Sequence, residues 1–172
     1  MTTSLYDATV GCFTQTLGAV AGFLDKGLAH CTEKGLDPAE LIETRLYPDM
    51  APFRFQVFCV GHHSLGAIEG VKAGAFYPPQ LPPLDYAGLQ KLVADARDAL
   101  AKVTPDEVNA LEGHDVIFHL GQNKMPFLVE GFLLSFSLPN FYFHATTAYD
   151  ILRSQGAPLG KRDFLGPMRF KR

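Results

Sequence analysis

The sequence predicts an all-α fold, in which long helices and short accessory helices are joined by one small β-hairpin. Three observations lead to this prediction. Apolar residues recur at steps of three or four along most of the chain, as on the buried face of an amphipathic helix. Several of these stripes begin at a capping motif and end at glycine or proline. Hydrophobic residues make up 47% of the 172 residues and charged residues only 19%, so the chain can bury a substantial core.

The first helix is predicted to begin at a capping pair formed by Ser4 and Asp7. Apolar side chains then recur at helical spacing as far as Lys34, a length of about eight turns. Gly35 is expected to end the helix, because glycine readily adopts the left-handed conformation found just beyond a helix end.

Two helices are predicted to follow the first one. Asp37 and Pro38 indicate a short helix that ends near Arg45. Asp49 is predicted to begin a longer helix that continues to Val71 and is apolar on two faces. A helix with two apolar faces is expected to be buried on more than one side.

The middle of the chain predicts a loop, two helices and a hairpin. The 74–83 segment contains four prolines, which excludes a helix and indicates a loop. Asp85 can cap the helix that follows, and Thr104 begins a capping box for a brief one. Alternating apolar residues over 116–120 and a return strand ending at Val129 indicate a β-hairpin.

The last helix is predicted to extend from about Glu130 to Gln155. Pro139 is expected to kink it or divide it in two, because proline removes a backbone donor and clashes with the preceding turn. The residues from about 167 onward are interpreted as a tail. Residues 1–172 are therefore expected to form a single domain.

Charge and composition argue against several classes of function. The net charge is −3, whereas nucleic-acid binders usually carry a basic surface, so no nucleic-acid partner is expected. The longest apolar stretch, near 127–143, is interrupted by a glutamate and a proline, so no membrane span is expected. The cysteines Cys12, Cys31 and Cys59 show no CxxC spacing, and the N-terminus shows no signal peptide. These features predict a reduced, cytoplasmic protein.

Polar residues interrupt the apolar surface of the last helix. Ser137, Asn140, His144 and Thr147 share one face at steps of three and four. Buried polar side chains need partners, so this stripe either closes a hydrogen-bond network or lines a site. Asn140 and His144 are one turn apart, the spacing at which two side chains can hold one ion.

The third predicted helix carries a matching group, Gly61-His62-His63-Ser64. His63 lies near the apolar stripe, two turns after Gln56, whereas His62 is expected to point to a different side. Facing helices of a bundle build metal sites in this way, and two imidazoles with one amide oxygen suit a divalent ion. The candidate metal ligands are His63, Asn140 and His144, with His62 as the alternative to His63. Gln56 and Thr147 are expected to line the pocket.

The C-terminal part of the chain resembles a known family. The segments Leu138-Pro-Asn-Phe-Tyr-Phe-His-Ala-Thr-Thr-Ala-Tyr-Asp-Ile-Leu-Arg and Gly160-Lys-Arg-Asp-Phe-Leu-Gly resemble an uncharacterised bacterial family of unknown function. Ser4-Leu-Tyr-Asp-Ala-Thr-Val and Pro48-Asp-Met match that family too, so the resemblance covers essentially the whole chain. That family is similar to the DinB/YfiT-like superfamily, which implies a four-helix bundle.

The resemblance also implies a metal site. In the wider superfamily, zinc or nickel is held by one histidine of the second helix of the bundle and by an HxxxH pair on the last helix. Some relatives are thiol-dependent transferases or isomerases. His144 matches the second histidine of that pair, and Asn140 stands where the first would be. His63, or else His62, matches the ligand of the second helix. An amide in place of an imidazole predicts weaker binding of zinc or nickel.

Two hypotheses of function follow. The first is a divalent-metal-dependent enzyme of transferase or hydrolase type, with its site near His63, Asn140 and His144. The second is a non-enzymatic protein that binds a small ligand or forms a dimer, in which these residues are structural. A homodimer is expected in either case, because an apolar two-sided helix in a small bundle leaves surface to cover.

Overall fold

The computed structural model of the protein, which describes residues 3–171, is mostly helical and contains a small sheet. The helices of this part are α1 (Leu5–Ala8), α2 (Val10–Lys34), α3 (Pro38–Leu41), α4 (Phe53–His62), α5 (Leu65–Ala73), α6 (Tyr86–Leu100), α7 (Pro105–Asn109), α8 (Val129–Gly131), α9 (Leu138–Ser154) and α10 (Lys161–Leu165). A π-helical segment, Phe132–Ser137, joins α8 to α9. The strands are β1 (Ala75–Phe76), β2 (Asp115–Leu120) and β3 (Asn123–Leu128).

The helix ends predicted from capping residues are confirmed at several positions. Ser4 and Asp85 accept hydrogen bonds from backbone N–H groups in the first turns of α1 and α6. Thr104 and Glu107 form both halves of the capping box that begins α7. Gly35 ends α2 with a left-handed φ of 66°. These ends were predictable because each depends on side chains within a few residues.

The prediction of one helix from Asp49 to Val71 is wrong in two respects. The helix begins later than predicted, and it is divided into α4 and α5. It begins at Phe53, because Pro52 disfavours the α conformation in the residue before it. It then breaks between α4 and α5, where Ser64 adopts φ −112° and ψ −84°. The hydroxyl of Ser64 donates to the Val60 carbonyl at 2.6 Å, a local bond that competes with the helical backbone pattern.

Two short elements also differ from prediction. Helix α3 ends at Leu41 rather than near Arg45. The first predicted helix is interrupted at Thr9, whose hydroxyl donates to the Leu5 carbonyl at 2.6 Å. Helix α10 was not predicted, and it packs against α2 through an ion pair of 2.6 Å between Lys26 and Asp163.

The sheet has three strands, not the two of the predicted hairpin. Strands β2 and β3 form the hairpin and pair antiparallel. Strand β1 pairs parallel with β2, with Phe76 opposite Phe118. A strand of two residues inside a proline-rich loop shows no alternation of apolar and polar residues, so the sequence pattern could not reveal it. This strand directs Phe76 toward the candidate site.

The last helix is continuous through Pro139, which neither divides it nor ends it. Pro139 lies in the first turn of α9, directly after the π-helical segment Phe132–Ser137. The wider π turns accommodate a residue that cannot donate the usual backbone bond, and such segments are common at functional sites.

The long helices pack against one another around one apolar core. Helix α4 contacts α9 and α6, and α2 contacts α6, α9 and α10. Phe13 and Phe141, both fully buried, join α2 to α9 with ring centroids 4.9 Å apart. Over residues 3–171, none of the helices combines the length and the hydropathy needed to cross a membrane.

Candidate functional site

Three histidines lie together where the end of α4 faces the last helix. The ring centroids of His62 and His63 are 5.0 Å apart. Those of His63 and His144 are 5.7 Å apart, with ring planes inclined by only 13°. The structure therefore brings His63 together with His144, and it places His62 in the same cluster rather than on a separate side.

The break between α4 and α5 positions His63. At a helix end, backbone carbonyls lose their partners within the helix and need others. The hydroxyl of Ser137 donates to the carbonyl of His63 at 2.9 Å, and both residues are buried. Since Ser137 ends the π-helical segment, this bond joins two irregular stretches of backbone and holds His63 against the last helix.

Gln56 contacts His144 from the first turn of α4. Its side-chain Oε1 lies 2.7 Å from His144 Nδ1, and its Nε2 donates to the Ala51 carbonyl at 2.8 Å. Only 2% of Gln56 is exposed. The glutamine that the sequence suggested as a pocket-lining residue is thus the direct hydrogen-bond partner of His144.

Aromatic rings surround the histidines. Phe76 of β1 lies 4.5 Å from the ring centroid of His62 and 5.8 Å from that of His63. The Phe136 ring is 5.7 Å from His63, and the Phe55 ring is 6.0 Å from His144. Such surroundings exclude water and disfavour a charged imidazole.

All three imidazoles are held neutral at physiological pH. Burial, reinforced by the neighbouring His62 and His144, lowers the pKa of His63 to about 3. Burial, with a smaller effect of His62, lowers the pKa of His144 to about 4. Burial also lowers the pKa of His62, against a backbone hydrogen bond at Tyr77 that acts in the opposite direction. A neutral imidazole has a lone pair, which a metal ligand needs.

Two ring nitrogens of the cluster are buried without a hydrogen-bond partner among the described residues, Nε2 of His62 and Nδ1 of His63. Such an atom costs about 1–3 kcal/mol of stability. Since buried polar groups are nearly always paired, unpartnered nitrogens indicate either a strained interior or a place for a ligand.

Asn140 and Thr147 are engaged mainly by their own helix. The amide Nδ2 of Asn140 donates to the Phe136 carbonyl at 2.7 Å, which uses the nitrogen and not the oxygen that could bind a metal ion. The hydroxyl of Thr147 donates to the Phe143 carbonyl at 2.8 Å. Thr147 therefore needs no partner in the site.

The histidines have the donor chemistry that a divalent metal ion needs, but the described residues are not arranged as a three-ligand site. Neutral imidazoles are the nitrogen donors that zinc and nickel favour. Within residues 3–171, however, no group of three histidine, cysteine, aspartate or glutamate side chains is disposed to hold an ion. Burial raises the pKa of the Cys59 thiol to about 12, so this neighbour in α4 does not supply a thiolate. A site with three such ligands would therefore require movement of a side chain.

The remaining histidines lie elsewhere. His30 Nε2 is 3.2 Å from the Gln155 carbonyl, His119 stacks on Tyr77, and His114 is exposed. Neither the Ser137–His63 bond nor the position of Phe76 beside the histidines could be predicted from the sequence, because both depend on contacts between distant segments.

The fold places the chain in a class of helical proteins typified by DinB. A crystal structure of a DinB family member protein from Shewanella denitrificans matches it with a TM-score of 0.79 and 28% sequence identity. That match covers 98% of this chain and 95% of the other. Among curated proteins, none matches.

The chain belongs to the family described as "Domain of unknown function (DUF1993)", whose model matches residues 5–165. The resemblance noted from the C-terminal motifs is thereby confirmed. The family's description assigns no activity, so the function has to be argued from the site.

Replacing Ser137 with Ala tests the bond that holds His63. The buried carbonyl of His63 would lose its partner, so the free energy of unfolding should fall by about 1–3 kcal/mol in urea denaturation. Ser135→Ala is the matched control, because the exposed Ser135 donates only to the Gly131 carbonyl of its own helix. Equal stability of the two variants would contradict a positioning role for Ser137.

The stability of the metal-free protein should depend on pH through His63. Its pKa is about 3 in the folded protein and near 6.5 when unfolded. The unfolded chain therefore takes up a proton first as the pH falls, and the contribution of His63 is complete only above pH 6.5. Between pH 7 and pH 5 this single group should lower the free energy of unfolding by about 2 kcal/mol.

Denaturation at several pH values measures this dependence. His63→Phe should make stability less sensitive to pH in that range, whereas His114→Phe, at an exposed position, should retain the full dependence. The prediction fails if His63→Phe and the unmodified protein lose stability in parallel.

Proposed function

We propose that the protein binds a divalent metal ion, zinc or nickel, through the imidazoles of His63 and His144. The observation that carries the proposal is a pair of neutral imidazoles with ring centroids 5.7 Å apart, in a buried cluster with unpartnered nitrogens. Binding an ion through these two residues would give the unpartnered Nδ1 of His63 a partner and offset its unfavourable burial.

We propose the amide oxygen of Asn140 as a third ligand, since its nitrogen is already bonded to Phe136 and its oxygen is not used in that bond. His62 offers a further imidazole, with Nε2 buried and unpartnered among the described residues. A mixed set of imidazoles and one amide should bind zinc or nickel more weakly than three imidazoles.

A metal ion bound here would serve as a Lewis acid or would activate a bound water or thiol. The protein's own contribution is to exclude water with aromatic rings, to hold the imidazoles neutral and to fix their orientation. Besides burial, the neighbours that lower the pKa of His63 are the imidazoles of His62 and His144.

Zinc should raise the melting temperature of protein purified without a histidine tag. At a hundredfold excess of free zinc over Kd, binding adds about 2.7 kcal/mol. For a chain of this size, that corresponds to a shift of roughly 5–10 °C in differential scanning calorimetry. His144→Ala should remove the shift, and His114→Ala, which alters an exposed histidine, should keep it.

Absence of stoichiometric metal by elemental analysis, together with no shift on addition of zinc or nickel, would overturn the proposal. A shift that survives in His144→Ala and disappears in His114→Ala would assign the metal to the surface instead. His63→Phe gives a second comparison, because it removes a proposed ligand while it also removes an unpartnered buried nitrogen. His63→Phe should therefore raise the stability of the metal-free protein, and zinc should stabilise this variant less than it stabilises the unmodified protein.

We also propose that two copies of the chain associate through exposed apolar side chains of the last helical segment, residues 129–154. Large apolar side chains are exposed there: Leu134 is 44% exposed and Phe143 is 55% exposed. Apolar side chains that stay exposed on a small domain commonly mark an interface. This second candidate is compatible with either a metal-binding or a purely structural histidine cluster.

Sedimentation velocity at micromolar concentration should give the mass of a dimer. Leu134→Glu should shift it to the monomer, because a buried unpaired charge is unfavourable in an apolar interface. Leu36→Glu alters a residue that is 46% exposed but lies after the end of α2, so it should leave the dimer intact. A monomeric unmodified protein would rule out the dimer.

A further inference from the structure

We propose that Gln56 fixes the tautomer of His144, so that Nδ1 carries the ring proton and Nε2 presents the lone pair. The tautomer follows from the hydrogen bonds alone. The use of Nε2 as a ligand atom rests on the proposed function of the site. Gln56 is therefore a positioning residue that acts through His144.

The Ala51 carbonyl sets the orientation of the Gln56 amide. A carbonyl oxygen can only accept a hydrogen bond, so the side-chain nitrogen must face it. The observed distance of 2.8 Å places Nε2 of Gln56 on this carbonyl. Ala51 precedes α4, so its carbonyl is not committed to that helix. A flipped amide would place two oxygens against each other.

The oriented amide then determines where His144 holds its proton. With its nitrogen on Ala51, Gln56 presents Oε1 to His144 Nδ1 at 2.7 Å. This oxygen can only accept, so Nδ1 must donate. A neutral imidazole has a single N–H, which Gln56 places on Nδ1. Nε2 is consequently unprotonated.

Burial makes this arrangement persistent. Gln56 is 2% exposed, and the α4–α9 contact holds the two side chains in place. Water therefore competes poorly with Gln56 for His144.

The orienting partner of His144 is a neutral amide and not a carboxylate, and this difference affects the protonation of the ring. A carboxylate is a common orienting partner of metal-binding histidines, and its negative charge favours the protonated ring. A neutral glutamine orients the ring without drawing a proton onto Nε2.

Long-range ¹H–¹⁵N correlation NMR of the metal-free protein reports the tautomer of each histidine directly. His144 should show a protonated Nδ1 and an unprotonated Nε2. A protonated Nε2 in the unmodified protein would overturn the inference without any variant being made. This readout does not require the protein to bind a metal ion.

Variants at position 56 test the role of the amide. Gln56→Leu should shift His144 toward the Nε2–H form and weaken zinc binding by about 10- to 100-fold. Gln56→Glu should retain the Nδ1–H form, since a carboxylate oxygen also accepts from Nδ1. Gln90→Leu is the control, because Gln90 bonds to Asp25 between α6 and α2, and it should change neither measurement.

The outcomes separate this inference from the proposed function. An Nδ1–H tautomer that shifts in Gln56→Leu, in a protein to which zinc does not bind, would support the positioning role and refute the metal site. Zinc binding with a tautomer that is unchanged in Gln56→Leu would refute the positioning role and leave the metal site in place.

Discussion

The candidate site depends on one contact, in which the broken end of α4 lies against the last helix. The break exposes the carbonyl of His63, and Ser137 supplies the hydroxyl that it needs at 2.9 Å. Ser137 can do so because a π-helical segment ends at its position, two residues before Pro139. A regular helix on either side would present different atoms at this contact, since 3.6-residue periodicity fixes which residues face a neighbour. Two local departures from regular geometry thus bring His63 beside His144.

The histidine cluster is locally unfavourable for stability. Its rings are packed among phenylalanines, burial lowers the pKa values of all three, and two buried nitrogens have no partner among the described residues. Apolar side chains of similar volume would satisfy this interior better. Proteins commonly accept such local conflicts at functional sites and offset them elsewhere. Here the surrounding core of fully buried side chains, among them Phe132 and Phe141, supplies that stability.

Much of the fold could be predicted because its signals are local. Capping residues such as Asp85 and Thr104 act within one turn, and the hairpin is marked by alternation along two adjacent segments. Strand β1, the break at Ser64 and the π-helical segment have no comparable local signal, because tertiary contacts define them. The same distinction applies to the site. Spacing along one helix pointed to His144, whereas its bond to Gln56, 88 positions away, is a long-range contact.

Anomalous diffraction from a crystal of the zinc-loaded protein would locate the ion. We expect a single strong peak at the zinc absorption edge between His63 and His144, with the Nε2 atom of His144 at about 2.0–2.1 Å from the ion. We also expect Gln56 to remain bonded to His144 Nδ1 in the loaded state. Peaks confined to exposed histidines such as His114, with His63 and His144 unchanged, would contradict a metal site in the histidine cluster.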